Sequence, residues 1–246
     1  MEQPQKEEII ALDYIGDKQK KWSCLGAACN DSCCFRFQQA SIFIHEILPL
    51  SKYFPLTFNG VFNPGEKSDL TLSIFLRSSL DKTPCFYLRE GEGCTLGDER
   101  PLACKQFPFC MEKNAEGKDD VALKPSCPGL SDQSGHPILT SDGAITPLIL
   151  QECVEPAIAV TEAAGETQRF VDTLLEHDLI SVATFDHRGE QVYMYIIDAQ
   201  KLRSLPGETI DDLRAKGYMD LILAHINSVV HMRRFIDTYL DRKTGK

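Results

Sequence analysis

The sequence predicts an α+β fold built from two unlike halves. The chain has 246 residues and 10 cysteines, and nine of those cysteines lie between Cys24 and Cys127. Beyond about residue 135 there is one cysteine, and apolar residues recur with helical spacing. We therefore expect a small cysteine-rich N-terminal half, with short strands and loops around a metal site, and a mainly helical C-terminal half with one β-hairpin.

These observations divide the chain into three predicted parts. Residues 1–21 are polar and charged around one short apolar patch and form an N-terminal arm. Residues 22–135 form a cysteine-cluster metal-binding domain. Residues 136–246 form a mainly helical C-terminal region that shares the core. A soluble chain of this length buries roughly 70% of its unfolded surface, so it does not need cross-links simply to stay folded.

Short elements follow one another in the cysteine-rich half. Residues 41–54 are predicted as a strand end that runs into a short helix, although Pro49 interrupts the helical pattern. The alternation of side chains predicts a strand over residues 70–76. A hairpin is expected over residues 85–96, because two apolar segments flank a glycine-containing turn. Residues 121–124 are a further short strand candidate.

Helical spacing dominates the C-terminal half. Residues 146–153 and 155–179 are predicted to be helical. A second hairpin is expected over residues 180–197, with its turn near residues 186–189. Pro206 opens a long predicted helix whose apolar stripe continues to Leu240.

The composition restricts the partners and the compartment that we expect. The net charge of −10 argues against nucleic-acid binding, because nucleic-acid-binding domains usually carry a basic stripe. No apolar run approaches the roughly 20 residues that cross a bilayer, and the N-terminus lacks the pattern of a signal peptide. We expect a cytoplasmic protein without nucleic-acid or membrane partners, and an unknown protein partner stays open. In a reducing compartment, clustered cysteines are more often metal ligands or catalytic thiols than disulfides.

The first cysteine cluster has the spacing C-x4-C-x3-C-C and consists of Cys24, Cys29, Cys33 and Cys34. Small or turn-forming residues lie between these cysteines, so a loop can wrap tightly and bring several sulfurs to one point. Neighbouring side chains diverge by about 180° on a strand and about 100° on a helix. The adjacent Cys33 and Cys34 therefore serve two metal ions, or two corners of one cluster, more naturally than a single ion.

The second cluster has wider spacing and consists of Cys85, Cys94, Cys104 and Cys127. The predicted hairpin would put Cys85 and Cys94 on neighbouring strands. The spacing C-x8-C-x9-C is not that of a zinc ribbon, whereas iron–sulfur proteins use varied spacings. The two sets of four cysteines fit two tetrathiolate sites or one polynuclear site, and spacing alone leaves both iron and zinc open.

The two clusters together resemble the cysteine-cluster family called CxxCxxCC, a YkgJ-like zinc- or iron-chelating domain that includes the flagellin lysine-N-methylases. The stretch from Arg100 to Pro108 is similar to the family signature R-P-x-x-C-R-x-F-P, with Lys105 in place of the usual arginine. The likeness covers residues 22–130, and the longer spacing of the first motif is similar to that of the methylase branch. The resemblance implies that an iron–sulfur cluster or zinc is held by eight cysteines: Cys24, Cys29, Cys33, Cys34, Cys85, Cys94, Cys104 and Cys127.

Three hypotheses about function stay open at this point. The first is a metal-binding cysteine-cluster protein with a redox or cluster-assisted role, which includes an iron–sulfur oxidoreductase. The second is a protein lysine N-methyltransferase similar to the flagellin enzymes, with S-adenosylmethionine as a cofactor. The third is a structural-zinc interaction module. The sequence contains no P-loop, no Rossmann glycine motif and no G-x-S-x-G elbow, and it identifies no catalytic residue.

Overall fold

The computed structural model describes residues 10–11, 20–25, 34, 39–61, 69–75, 85–89, 92–187, 190–233 and 235. The chain forms two units. The cysteine unit consists of residues 1–38 and 77–162, and the sheet unit consists of residues 39–76 and 163–246. Both units contain strands and helices, so the expected mixed class of helices and sheets is confirmed. The three-part division of the chain stays a prediction.

The described residues contain 13 strands: β1 Ile10–Ala11, β2 Lys21–Trp22, β3 Gln39–Ser41, β4 Leu56–Val61, β5 Asp69–Phe75, β6 Leu88–Arg89, β7 Gly93–Cys94, β8 Phe109–Lys113, β9 Asp119–Leu123, β10 Leu130–Ser131, β11 His136–Pro137, β12 Ile180–His187 and β13 Glu190–Ile197. The α-helices of the same residues are α1 Ile47–Ser51, α2 Leu102–Lys105, α3 Pro147–Ile149, α4 Glu155–Glu176, α5 Ala199–Arg203, α6 Gly207–Ala215 and α7 Tyr218–Ser228. A π-helical segment, Leu150–Val154, joins α3 to α4, and single 3-10 turns occupy Ile44–Glu46 and Gly97–Glu99.

The sheet unit is built on a five-stranded antiparallel sheet with the order β12-β13-β4-β5-β3. Phe58 on β4 lies opposite Tyr195 on β13, so their side chains share one face of the sheet. Helix α7 packs on that face: the ring of His225 stacks on Phe58 with the ring centres 5.0 Å apart. The backbone N–H of Leu56 also donates to the Ser228 hydroxyl oxygen at 2.9 Å. These contacts fix α7 over the middle of the sheet and leave β12 as an outer strand.

The long helix predicted from Pro206 onward is divided into α6 and α7. Gly217 separates the two helices with a φ of 73°, a left-handed conformation that favours glycine. Its N–H donates to the carbonyl oxygen of Arg214 at 3.0 Å and so helps to close the end of α6. The prediction of one continuous helix was wrong. The apolar spacing continues on both sides of Gly217, so it does not indicate the turn there.

Several other predicted elements lie at the expected positions. The strand over residues 70–76 is β5, the hairpin over residues 180–197 is β12 with β13, and the helix over residues 155–179 is α4. Strand β4 was not predicted, since Asn59 and Gly60 weaken its strand pattern.

The cysteine unit combines short strands with one apolar cluster. Its strands form the three-stranded sheets β1-β9-β8 and β10-β2-β11 and the hairpin β6–β7. Phe109 and Cys153 are both almost wholly buried in the apolar cluster. Trp22 packs edge to face on Phe109 with the ring centres 6.5 Å apart. The core of this unit therefore combines side chains of the short strands β8 and β9 with side chains of α3 and the π-helical segment.

The sequence contains no apolar run long enough to cross a bilayer as a helix. Within the described residues, no helix has both the length and the apolar character that crossing a membrane requires.

Candidate binding site

A cavity of about 340 Å³ opens in the sheet unit, where the β12–β13 hairpin meets the start of α5 and the end of α7. Pockets for small ligands start at roughly this volume. The apolar part of the wall is formed by Val182, Ile196, Ile197, Ala199, Ile226 and Val229. The polar part is formed by Ser181, Asp198 and Gln200. The residues around the cavity are therefore mostly apolar.

Asp198 lies between β13 and α5 and caps that helix. Its carboxylate accepts hydrogen bonds from the backbone N–H groups of Gln200 at 2.8 Å and Lys201 at 3.3 Å. The hydroxyl of Ser181 donates to the same carboxylate at 3.1 Å. Burial alone would raise the pKa of Asp198, but these hydrogen bonds and the charge of Lys201 bring that pKa below its usual value. The carboxylate is therefore ionised at neutral pH and held in one position on the face of the hairpin that carries the Ser181 hydroxyl.

Strand β12 is the outermost strand of its sheet, and no strand of the described ranges pairs with its outer edge. Successive residues of a strand turn their backbone N–H and C=O groups to opposite edges. The carbonyl oxygen of Leu179 accepts from the Asp198 N–H at 2.8 Å, so the backbone groups of Leu179 face the β13 side. By alternation, those of Val182 and Thr184 face the outer edge and are placed to pair with an added strand.

Lys201 covers one end of this edge. Its ammonium group donates to the carbonyl oxygen of Ile180 at 3.3 Å and to the Asp178 carboxylate at 2.9 Å. The outer edge of β12 is therefore already contacted at Ile180 and continues beyond it at Val182. Lys201 is the only cation among Asp178, Asp198 and Lys201, so these three side chains together carry one net negative charge.

Apolar side chains are exposed beside the cavity. Val182 lies opposite Tyr195 and Thr184 lies opposite Tyr193, so these four residues share one face of the hairpin. Helix α7 covers this face over Phe58, but Val182 is 51% exposed and Tyr193 is 64% exposed. The exposed apolar surface and the cavity thus adjoin each other on β12, because Val182 belongs to both.

The cysteines predicted as metal ligands lie in the cysteine unit, and Cys29 and Cys33 among them lie outside the described residues. The structure brings others into one neighbourhood. The N–H of Cys85 donates to the carbonyl oxygen of Cys34 at 2.6 Å. Cys94 is paired with Leu88 across the β6–β7 hairpin, and Cys104 lies on α2.

Burial and mutual repulsion keep these thiols protonated. Burial raises the pKa of Cys85 to about 12, with smaller contributions from the charges of Cys34 and Cys94. Burial is also the main cause of the raised pKa of Cys94 and of Cys104. A protonated thiol is a poor nucleophile. Of these three cysteines Cys85 is buried, and Cys94 and Cys104 are half-buried.

The remaining two predicted ligands differ in exposure. Cys24 is exposed and Cys127 is buried. The pKa of the nearby Cys153 is raised to about 12, first by burial and next by the charge of Glu152. Among the residues that the structure describes, no group of three or more histidine, cysteine, aspartate or glutamate side chains is arranged to hold a metal ion.

The match to a family model covers most of the chain. A model described as SapC matches residues 25–235, which takes in segments of both units. The chain belongs to the SapC family. The comparisons with curated proteins and with solved structures gave no match.

Membership of the SapC family shows that the assignment to the CxxCxxCC, YkgJ-like family was wrong. That assignment rested on cysteine spacing within residues 22–130, whereas the SapC match continues to residue 235. The function inferred from it, iron–sulfur or zinc binding by a cysteine cluster, is corrected for the same reason and because the described side chains supply no metal-binding group. The lysine methyltransferase and structural-zinc alternatives are corrected with it, since they depended on the same resemblance. The ligand roles of the individual cysteines stay predictions.

The sequence analysis missed the residues around the cavity of this SapC protein. One local signal was present: Asp198 directly follows the predicted hairpin and precedes a short helical segment, which is typical of a helix N-cap. Ser181 gives no such signal. Its hydrogen bond to Asp198 depends on the pairing of β12 with β13, which sets residues 17 positions apart side by side.

Proposed function

We propose that this SapC protein binds an extended segment of a partner protein, which adds to the outer edge of β12 as a sixth strand. The observation that carries the proposal is the coincidence of two features on one strand. The backbone groups of Val182 and Thr184 face the outer edge, and Val182 also lines the cavity and the exposed apolar face. We propose this edge as the binding site of the protein partner that the sequence left open.

Between Lys201 at Ile180 and the charged Asp186, the outer edge lacks the usual protection against strand addition. Edge strands are commonly blocked by lysine, by proline, by a bulge or by inward-pointing charges. From Ile180 to Phe185 the strand contains no lysine, proline, glycine or charged residue. Lys201 approaches the edge at Ile180 alone. An added strand therefore has two consecutive outward-facing residues, Val182 and Thr184, with which to pair.

The cavity supplies the selectivity that backbone pairing lacks. In strand addition, main-chain hydrogen bonds contribute affinity for almost any extended peptide, and pockets for alternate side chains discriminate among sequences. Ser181 and Val182 lie on β12 itself and in the cavity wall. A side chain of the added strand is thus within reach of the cavity.

The test blocks the edge without disturbing the sheet. In Thr184→Pro the lost N–H faces away from β13, so the pairing of β12 with β13 is kept. Thr184→Val retains that N–H and serves as the matched control. Affinities are measured by fluorescence anisotropy for peptides of about eight residues selected from a random library on the wild-type protein.

We expect Thr184→Pro to bind the selected peptides about tenfold or more weakly, because an edge hydrogen bond is lost and the ring obstructs the added strand. Thr184→Val should bind them as the wild type does. Equal affinity of Thr184→Pro and wild type would contradict the proposal, as would a library from which the protein selects nothing. Circular dichroism establishes that both variants are folded.

A further inference from the structure

Strand β12 is itself an extended segment of the kind that its outer edge can take. Its residues from Ile180 to Phe185 include no charged residue, no proline and no glycine. Val182 and Thr184, whose backbone groups face the outer edge, are exposed and β-branched, which favours strand pairing. The open edge and a segment suited to occupy it are therefore present on the same strand.

We infer that the segment added to the outer edge of β12 is β12 of a second copy of this chain, in an antiparallel pairing that joins the two five-stranded sheets into one. This inference rests on the proposed function, because it names the partner that the β12 edge binds. Two copies related by a two-fold axis present the same surface to each other, so one strand edge can pair with itself. We place the axis at Ala183, which sets Val182 opposite Thr184 of the second copy.

This register uses both of the open outward-facing residues. Opposite residues of an antiparallel pair exchange two hydrogen bonds where their backbone groups face each other. Val182 would exchange two with Thr184 of the second copy, and the two-fold axis repeats this pair. Lys201 ends the pairing, because its ammonium group already donates to the carbonyl oxygen of Ile180 at 3.3 Å. Each open position of one copy thus finds a partner on the other.

The same register covers exposed side chains. Val182 is 51% exposed and lies on the same face of the hairpin as Thr184. Opposite residues of an antiparallel pair have their side chains on one face of the sheet. The two valines and two threonines would therefore meet as a group of four β-branched side chains, and each would lose exposed surface.

Charge complementarity favours a second copy as the occupant. Asp186 lies two residues beyond Thr184 on β12 and is exposed. With the axis at Ala183, Asp186 of one copy lies opposite Ile180 of the other, which is where Lys201 contacts the edge. The axis repeats this arrangement, so an acidic and a basic side chain meet at both ends of the pairing.

The ammonium group of Lys201 has a donor for the added carboxylate. Among the described residues it donates to Asp178 at 2.9 Å and to Ile180 at 3.3 Å. An ammonium group has three donors, so one remains for Asp186 of the second copy. Asp178 and Asp186 would then share the one cation between them.

Other positions of the axis fit less well. An axis at Thr184 would set Asp186 opposite Val182, away from Lys201. An axis at Val182 would set Thr184 opposite Ile180, which Lys201 already contacts. The register centred on Ala183 is therefore the one that satisfies the open backbone groups and the charges together.

Sedimentation equilibrium of the full-length protein measures the dimer directly. A contact of two open residues from each strand is small, so we expect a dissociation constant of about 10–100 μM. Thr184→Pro should weaken the dimer about tenfold or more, because it removes an N–H from the edge. Peptides selected on the wild-type protein should dissociate the dimer, since both occupy the same edge.

Cysteine substitutions test the register. With the axis at Ala183, its Cα atoms in the two copies would be about 4.5 Å apart, a distance that a disulfide spans. We expect Ala183→Cys to give a disulfide-linked dimer on mild oxidation. Because the chain has 10 native cysteines, mass spectrometry must locate the bond at the substituted position. Val182→Cys and Thr184→Cys are the matched controls, since each would be roughly 8 Å from its own copy and should not link.

Asp186→Asn tests the charges without adding a cation. We expect the variant to dimerise about fivefold more weakly, because both ion pairs are lost, and its difference from the wild type should decrease at high salt. Asp211→Asn makes the same change of net charge on α6, where Asp211 pairs with Arg214, and should dimerise as the wild type does.

The outcomes separate the inference from the function on which it rests. A wild-type protein that stays monomeric at about 1 mM but binds the library peptides would overturn the inference alone. If neither a dimer nor peptide binding is found, the proposed function fails as well. A Thr184→Pro variant that dimerises as tightly as the wild type would assign the dimer to another surface and overturn the inference. Linkage through Thr184→Cys in place of Ala183→Cys would overturn the register.

Discussion

Among the residues that the structure describes, each unit completely buries one titratable side chain, and the two groups are of opposite kinds. In the sheet unit it is the base His225, and in the cysteine unit it is the acid Cys153; both are 0% exposed. Burial lowers the pKa of His225 to about 3 and raises the pKa of Cys153 to about 12. Both groups are therefore uncharged at neutral pH. The same physical cause predicts that the sheet unit loses stability in acid and the cysteine unit loses stability in alkali.

The surroundings of His225 and Cys153 show how the two cores differ. His225 occupies one position of the buried stripe of α7, and its ring stacks on Phe58. Neither of its ring nitrogens has a hydrogen-bond partner among the described residues. Cys153 lies in the apolar cluster of the cysteine unit and behaves there as a small apolar side chain. The core of the sheet unit thus contains an imidazole ring without hydrogen-bond partners among the described residues. The core of the cysteine unit contains a thiol that packs among apolar side chains.

The largest expected effect comes from removing the apolar wall beside His225. Phe58 is 1% exposed, and Phe58→Ala should lower the free energy of unfolding of the sheet unit by about 3–5 kcal/mol, as for other buried aromatic truncations. The measurement is hydrogen exchange of β4 and β5, followed by mass spectrometry. Tyr193→Ala, at a residue that is 64% exposed, is the control and should change stability by no more than about 0.5 kcal/mol. Similar effects of the two substitutions would contradict this description of the core.

The second expected effect is a loss of stability in acid that comes from His225. His225 has its usual pKa in the unfolded chain and a pKa of about 3 in the folded protein, so the unfolded chain takes up the proton first as the pH falls. The stability that depends on neutral His225 is present above pH 6.5 and is lost progressively from there down to about pH 3. Between pH 7 and pH 5 this loss amounts to about 2 kcal/mol.

His225→Leu isolates that contribution. Its free energy of unfolding should fall less than that of the wild type between pH 7 and pH 5, by about 2 kcal/mol, in urea titrations followed by circular dichroism. The variant should be no less stable at pH 7, because it removes two unpaired ring nitrogens from the core. Ile222→Leu, in the same buried stripe, keeps His225 and should retain the wild-type pH dependence. Identical acid dependence of His225→Leu and wild type would rule out the neutral buried imidazole.

The sequence predicted elements in the sheet unit where periodicity was regular. Strand β5 and the β12–β13 hairpin show the period of two, and α4 shows helical spacing. Strand β4 was missed because Asn59 and Gly60 interrupt its pattern, although its central Phe58 is a core residue. The break at Gly217 was missed because the apolar stripe continues on both sides of it.

The candidate site was beyond the reach of sequence reasoning for a different reason. Asp198, Ser181 and Val229 belong to three elements, and only the pairing of β12 with β13 and the packing of α7 bring them to one cavity. The cysteine motifs, in contrast, were conspicuous in the sequence and led to the wrong family. The cysteine spacing lies within residues 22–130, whereas the SapC match extends to residue 235.

The smallest expected effect is the loss of stability in alkali that comes from the thiol of Cys153. The thiol of Cys153 loses its proton near pH 9 in the unfolded chain and near pH 12 in the folded protein, so the unfolded chain releases it first as the pH rises. Stability due to the neutral thiol is present below pH 9 and is lost between pH 9 and about pH 12. Cys153→Ala should therefore lose about 1 kcal/mol less than the wild type between pH 8 and pH 10.

The fluorescence of Trp22 is a suitable measurement for this test, because Trp22 is the only tryptophan of the chain and packs on Phe109 in the same apolar cluster. His225→Leu is the cross-control: it should keep the alkaline loss, as Cys153→Ala should keep the acid loss. If Cys153→Ala instead removes the acid dependence or leaves the alkaline dependence unchanged, His225 and Cys153 do not cause the pH dependence of stability in the two cores. Their opposite sensitivities would then have to come from charges distributed over the surface, which salt would screen.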